Sequence, residues 1–232
     1  MKLVRFMIAL ALLGAAGYGL KTAWESQALH LEKVEVVGNA RVEGATLVTA
    51  SGLRSGSHLL KLSVDSVSQR VGRIPWVSHA RVERILPSKI RITVTERKPF
   101  VAVVSEGKTF LVASDATVLE ENDAEIPHVT DMPLTGINAG SQIELAEFRH
   151  LTRVVEALPQ DLRAKVMVVK APSVDRITLE LSTGLTVIFG AAEEIEDKIH
   201  AVQALIARYE ERGASLASID VRVPSRPAVR PL

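Results

Sequence analysis

The stretches LEKVEVVGN at residues 31–39 and KIRITVTERKP at residues 89–99 bracket a segment carrying the local signals of a complete small β-α-α-β-β unit. From Leu31 to Val37, Val34 and Val36 share one face with Glu35 between them, and Gly38-Asn39 is a turn pair. A helix from about Val42 to Ser51 follows, with Leu47 and Ala50 inward; Gly52 then suits the left-handed closing position and Leu53 the fold-back. Ser63 is placed to cap a second helix and Leu62 with Val67 to staple it, while Val64, Val67, Val71 and Ile74 form one face before Pro75. Strands from Val77 to Ile85 and from Lys89 to Glu96, joined by Leu86-Pro87-Ser88, complete the unit. In the second of them Ile90, Ile92 and Val94 alternate with Arg91, Thr93 and Thr95. The result is a sheet with one apolar face and two helices to cover it, and nothing in it that performs chemistry.

The whole chain has 232 residues, enough for one or two cored domains, and a formal charge of +1, which argues against a general nucleic-acid binder. It has no cysteine, so disulfides, thiolate metal sites and cysteine nucleophiles are excluded. Two Trp and two Tyr leave few platforms for stacking bases or sugars. His30, His58, His79, His128, His150 and His200 are scattered with no close pair at metal-ligand spacing, and no G-x-S-x-G elbow or phosphate loop is present. We therefore expect no catalytic residue, no metal and no cofactor.

Ahead of the unit, no residue from Phe6 to Leu20 is charged, and with its flanks the apolar run reaches about 20 residues, the thickness of a bilayer core. Lys2 and Arg5 precede it, Lys21 is able to snorkel outward, and Trp24 suits the far interface. This predicts a cytoplasmic tail at 1–5, a transmembrane anchor at 6–24, a linker at 25–30 and everything later outside. The alternative is a cleaved signal peptide, since Gly14-Ala15-Ala16-Gly17 offers small residues; continuation of the apolar run through Tyr18 and Leu20 favours the anchor. Ala11, Ala15 and Gly19 recur every four residues, the spacing of a close helix-helix seam, although small residues are common in membrane helices in general.

After Pro99 a second domain, 100–232, reads as strands from Phe100 to Val104, Thr109 to Val112 and Thr117 to Leu119, with a turn at Glu106-Gly107. Glu120 to Asp123 is a solvated acidic connector. A helix from Glu144 to Leu158 carries Phe148, Leu151, Val155 and Leu158 on one side, and Lys165 to Val169 is an apolar strand. Ile177, Leu179 and Leu181, the turn Ser182-Thr183-Gly184, then Leu185, Val187 and Phe189 form a hairpin with one buried face. A long helix begins near Ala192, its acidic first turn facing the positive helix end and its inward stripe formed by Ile195, Ile199, Val202, Ile206 and Tyr209. The last strand is expected to start at Ile219, with Ile219, Val221 and Val223 on one face and Asp220 and Arg222 on the other.

The β-α-α-β-β order with Val36-Val37-Gly38-Asn39 resembles a POTRA domain, a family found outside the cytoplasm, where it binds polypeptides. Over nearly its full length the chain resembles the bacterial cell-division family FtsQ/DivIB. Val94-Thr95-Glu96-Arg97-Lys98-Pro99 is similar to the family's domain junction, Thr183-Gly184 through Phe189-Gly190 to its hairpin, and Ile219-Asp220-Val221-Arg222 to its terminal strand. Two features depart from the family. Ala113 and Ala116 stand where it often has Asp and Gly in a Leu-Val-Asp-x-x-Gly pattern, and the cytoplasmic tail is almost absent.

The resemblance implies an α+β protein: an N-terminal transmembrane helix, a POTRA domain at 31–99, and a mixed α+β domain at 100–232 with an extended, mostly antiparallel sheet. It implies a single-pass protein of the inner membrane, periplasmic beyond the anchor and placed at the division septum. There it would be a non-catalytic divisome scaffold that binds FtsB/FtsL-like division proteins by adding a partner strand to its C-terminal strand, and other divisome proteins through the POTRA domain. Carried across on those terms, the partner-binding residues are Arg222, Val223, Ser225, Arg226, Ala228, Val229 and Arg230, with the arginines suited to an acidic segment. Pro224 and Pro227 donate nothing to a ladder and limit the length of any added strand. Two other readings are a POTRA-containing factor of envelope protein assembly and an exported enzyme. The first belongs with chains that continue into a barrel.

Overall fold

The computed structural model describes residues 27–232 together with Met7, Leu10, Gly14 and Ala15. Most of the expected anchor, including the Ala11 and Gly19 positions of its seam, lies outside the described residues; Ala15 is described and is exposed. Among the described residues no helix is long and apolar enough to cross a membrane. The chain divides into two compact units, Met1–Arg97 and Lys98–Leu232.

In the first unit, β1 (Lys33–Val37), α1 (Gly44–Ser51), α2 (Val64–Val71), β2 (Val77–Ile85) and β3 (Lys89–Glu96) form a sheet of order β1-β3-β2. β3 runs parallel to β1 and antiparallel to β2. Ile90, Ile92 and Val94 are buried, as the alternation requires, and so are Leu47, Val67 and Val71 of the helices. Ser63 caps α2 by accepting the Ser66 N–H, and Gly52 closes α1 at φ +63°. Two boundaries differ from expectation. The first strand starts at Lys33 because the Leu31 N–H turns away to the Ser57 carbonyl (2.8 Å). The first helix starts at Gly44 because the N–H groups of Ala40, Arg41 and Val42 are taken by the Glu96 carboxylate (2.9 to 3.2 Å), which ties this loop to the end of β3. Those three bonds, aided by the Arg41 charge, outweigh the raising effect of burial and hold the Glu96 carboxyl below its ordinary range.

The second unit is one nine-stranded sheet with helices on one face. Its strands are β4 (Pro99–Ser105), β5 (Lys108–Ala113), β6 (Val118–Glu121), β7 (His128–Thr130), β8 (Val166–Lys170), β9 (Ile177–Leu181), β10 (Thr186–Gly190), β11 (Leu216–Asp220) and β12 (Ala228–Pro231). The order is β12-β11-β10-β9-β8-β7-β4-β5-β6. Five neighbouring pairs are antiparallel; β4/β7, β7/β8 and β10/β11 are parallel. Parallel neighbours need a crossover, which α3 (Ala146–Ala157) and α4 (Gln160–Arg163) supply between β7 and β8, and α5 (Ile195–Glu210) between β10 and β11. The core lies between these helices and the sheet. Phe148, Leu151 and Val155 of α3 and Ile199 and Val202 of α5 pack on Val129, Val169, Leu179, Val187, Phe189 and Ile219.

Sequence periodicity does not reveal three features of this unit. β7 has only three residues, too few to alternate visibly. Lys198, which interrupts the apolar stripe of α5, is buried, with its Nζ donating to the Ala191 carbonyl (2.8 Å) and lying over the Phe189 ring. Burial pushes its ammonium pKa down, against the raising effect of Glu194 and Glu193. Ala116, at the position where the family it resembles often has glycine, adopts the left-handed backbone at φ +68°. The turn is held by the Ala116 N–H on the Ala113 carbonyl and the Thr117 N–H on Asp115.

Candidate partner-binding edge

The C-terminal segment corrects one expectation about the last strand. The strand expected from Ile219 begins at Leu216 and stops at Asp220; Val221 stays buried, but Val223 is 57% exposed instead of continuing the inner face. Asp220 is the cause. Its carboxylate accepts the backbone N–H of Arg222 (3.1 Å) and the Arg222 guanidinium (2.6 to 3.0 Å), which turns the chain out of the ladder ahead of Pro224. The Arg226 N–H then closes the turn on the Val223 carbonyl (3.0 Å), and Ala228–Pro231 returns as β12, antiparallel to β11. The rim of β11 is thus paired within the chain, and the free rim belongs to β12.

Two main-chain bonds decide which groups that rim offers. The Val221 N–H donates to the Ile188 carbonyl (3.0 Å), so Ile219 and Val221 direct their main-chain groups toward β10, and Ser218 and Asp220 direct theirs toward β12. Opposite those two stand Arg230 and Ala228, which therefore face inward. Leu232 does the same, its N–H reaching the Ser215 carbonyl (3.0 Å). By alternation Val229 and Pro231 face outward. Pro231 has no N–H, and neither has Pro227 just before the strand, so the outer rim of β12 carries a single donor, the Val229 N–H. Its acceptors are the carbonyls of Val229 and Pro231.

The side chains sort by the same alternation. Val229 packs on the core beside Ile219, whereas Ala228 and Arg230 are exposed on the opposite face. Of the three arginines, Arg222 is already committed. Its stem lies on Gly190, where an added Cβ would come within 2.8 Å of Arg222 Cγ, and its guanidinium is held by Asp220. Hydrogen bonds from that guanidinium hold the Asp220 carboxyl below its ordinary range against the opposing effect of burial. Arg226 and Arg230 are exposed and, among the described residues, have no acidic partner. Ser225 is exposed in the turn. The segment therefore brings all seven predicted residues into one hairpin, but only Val229 presents an outward donor on β12. Among the described residues no group of three or more His, Asp or Glu is placed to hold a metal ion.

Comparison with known proteins bears on both units. Residues 29–97 match the family model described as "POTRA domain, FtsQ-type", and residues 102–222 match "Cell division protein FtsQ/DivIB, C-terminal". The chain belongs to the FtsQ/DivIB family of cell-division proteins. Curated relatives named "Cell division protein FtsQ" include that of Streptomyces coelicolor, 31% identical over 96% of this chain and 86% of the relative. The Corynebacterium glutamicum protein is 25% identical over 82% of this chain and 84% of the relative, and that of Mycobacterium leprae is 28% identical over 98% and 64%. Among solved structures, the major extracytoplasmic domain of DivIB from Geobacillus stearothermophilus aligns with a TM-score of 0.34 at 14% identity, covering 50% of this chain and 97% of that one. Membership of this family places the chain among proteins of cell division, with a POTRA domain followed by a mixed α+β domain.

Proposed function

We propose that this FtsQ/DivIB protein is a non-catalytic scaffold of the division machinery that captures an FtsB/FtsL-like partner by strand addition along the outer rim of β12. The observation that carries the reading is the outward Val229 N–H and C=O on an edge strand, flanked by the unpaired cations Arg226 and Arg230. An extended segment satisfies those main-chain groups, and acidic side chains in it complement the two arginines. Pro227 and Pro231 make the register specific: opposite Val229 the partner both accepts and donates, whereas opposite Pro231 it can only donate. The POTRA domain offers a separate surface for other division proteins. Residues 6–24 hold the protein in the inner membrane as a single span, with the N-terminus cytoplasmic and both units periplasmic at the septum; the charge and length pattern of the sequence supports this.

Arg226→Glu combined with Val223→Asp tests the site. Both side chains are exposed, so folding is retained while capture of the FtsB-like partner in a pull-down is lost. Undiminished capture by the double variant rejects this edge as the binding site.

A further inference from the structure

We propose that the end of the POTRA unit nearest the apolar run is a membrane-contact surface. There Lys33, Arg54, Lys61 and Lys89 hold anionic phospholipid headgroups, and Leu86 lies among them. The inference rests on reading residues 6–24 as a bilayer span and concerns a different surface from the β12 rim.

Tether length places this end. Only Glu25 and Ser26 separate Trp24 from Gln27, where the 3-10 turn Gln27–Leu29 begins, so the chain spans at most about 11 Å before it meets the unit. It is then clamped: the Leu31 N–H donates to the Ser57 carbonyl and the Leu31 carbonyl accepts the Gly56 N–H, both at 2.8 Å. The tip of the β2–β3 hairpin is fixed at the same place by the Glu32 N–H on the Ser88 carbonyl (2.9 Å) and the Ser88 hydroxyl on the Glu32 carboxylate (3.1 Å). Residues 27–33, 53–63 and 84–89 therefore share the end that faces the bilayer.

The chemistry of that end matches a charged lipid surface. Lys33 and Lys89 are exposed register partners in the parallel β1/β3 pair, a like-charge juxtaposition that is unfavourable in water and is relieved by an anion lying across both. Arg54 is exposed on the loop after α1 and Lys61 at the end of the 3-10 turn Leu59–Lys61, whereas the acidic residues of this end are Glu32, turned onto Ser88, Asp65 in the first turn of α2 and, in the tether sequence, Glu25. At the hairpin tip Leu86 is 62% exposed beside Pro87, an apolar point with Arg84 and Lys89 on the two strands of the same hairpin. Apolar tips with basic neighbours are the composition of interfacial anchoring, and each basic residue adds to attraction toward an anionic surface within a Debye length.

Because the chain has no cysteine, single-cysteine labelling tests this on the full-length protein. Leu86→Cys, and Val37→Cys at the opposite end of β1, are each labelled with a fluorophore and reconstituted in nanodiscs of phosphatidylcholine with or without phosphatidylglycerol, with a nitroxide on the headgroup. In the anionic discs, quenching at position 86 is expected to exceed that at 37 by about twofold or more, and to fall toward it in about 0.5 M salt. Lys33→Glu with Lys89→Glu is expected to have the same effect. Co-elution with the discs but equal quenching at the two positions overturns the contact and leaves the anchor standing. Failure to co-elute overturns the anchor and the contact with it. Protection of position 86 from soluble iodide without nitroxide quenching shows that a second copy covers this end, and also overturns the proposal.

Discussion

Replacing Val229 by proline isolates the one main-chain donor on the outer rim of β12. Its N–H points away from β11, so the ladder formed by Ala228, Arg230 and Leu232 remains intact, and an edge strand accepts proline where no bond is made inward. Ala228 keeps the extended conformation that a residue before proline requires. Strand addition loses one hydrogen bond, worth about 0.5–1.5 kcal/mol net, and leaves a partner carbonyl unsatisfied at about 1–3 kcal/mol. These effects overlap, so affinity falls by about 10-fold to 100-fold. Titration calorimetry with a peptide from the C-terminal part of an FtsB-like partner measures this, and Val229→Ala removes most of the side chain while keeping the N–H. The expected order of affinity is wild type, then Val229→Ala, then Val229→Pro well below both. Equal affinity of the alanine and proline variants would refute the edge geometry. Arg230→Pro is the internal comparison: it removes an inward N–H facing Ser218 and lowers the denaturant midpoint of the folded protein by the equivalent of about 1–3 kcal/mol.

Three further substitutions test other parts of the structure. Glu96→Gln weakens the bonds to the Ala40–Val42 loop, and because the group is partly solvated the loss at pH 7 is about 1 kcal/mol by urea denaturation. The folded pKa lies below the ordinary value of 4.5, so this stabilisation is complete above that value and disappears as pH falls through the folded one; wild type and variant therefore converge in acid. Gly38→Ala places a methyl group into the Val94 carbonyl oxygen at a φ of +86°, and the POTRA unit loses about 3 kcal/mol, read as a lowered midpoint by circular dichroism. Ala116→Gly relieves the left-handed strain at φ +68° and raises the stability of the second unit by about 1 kcal/mol; an unchanged or lower thermal midpoint contradicts that account.

The elements with two or more periods of alternation are where sequence and structure agree: Ile90, Ile92 and Val94 in β3, Leu179 and Leu181 in β9, and Val187 and Phe189 in β10 are all buried. So do the caps at Ser63 and Gly52, because a cap is a local hydrogen bond or a local φ. β12 is not legible in the sequence because Pro227 and Pro231 interrupt the pattern of ladder donors, and its identity as a strand comes from its pairing with β11. Lys198 was hidden for a related reason. Its burial depends on the Ala191 carbonyl and the Phe189 ring, which belong to another part of the fold.

By itself the sequence determined the β-α-α-β-β order of the first unit, the hairpin and long helix of the second, and the family, because hydrophobic period, turn residues and short motifs act over a few neighbours. Only the tertiary structure decided which strand forms the rim and that Val229 alone among its residues offers an outward N–H. A main-chain group points in or out according to the register with the strand beside it, and that register is set by residues far away in the chain.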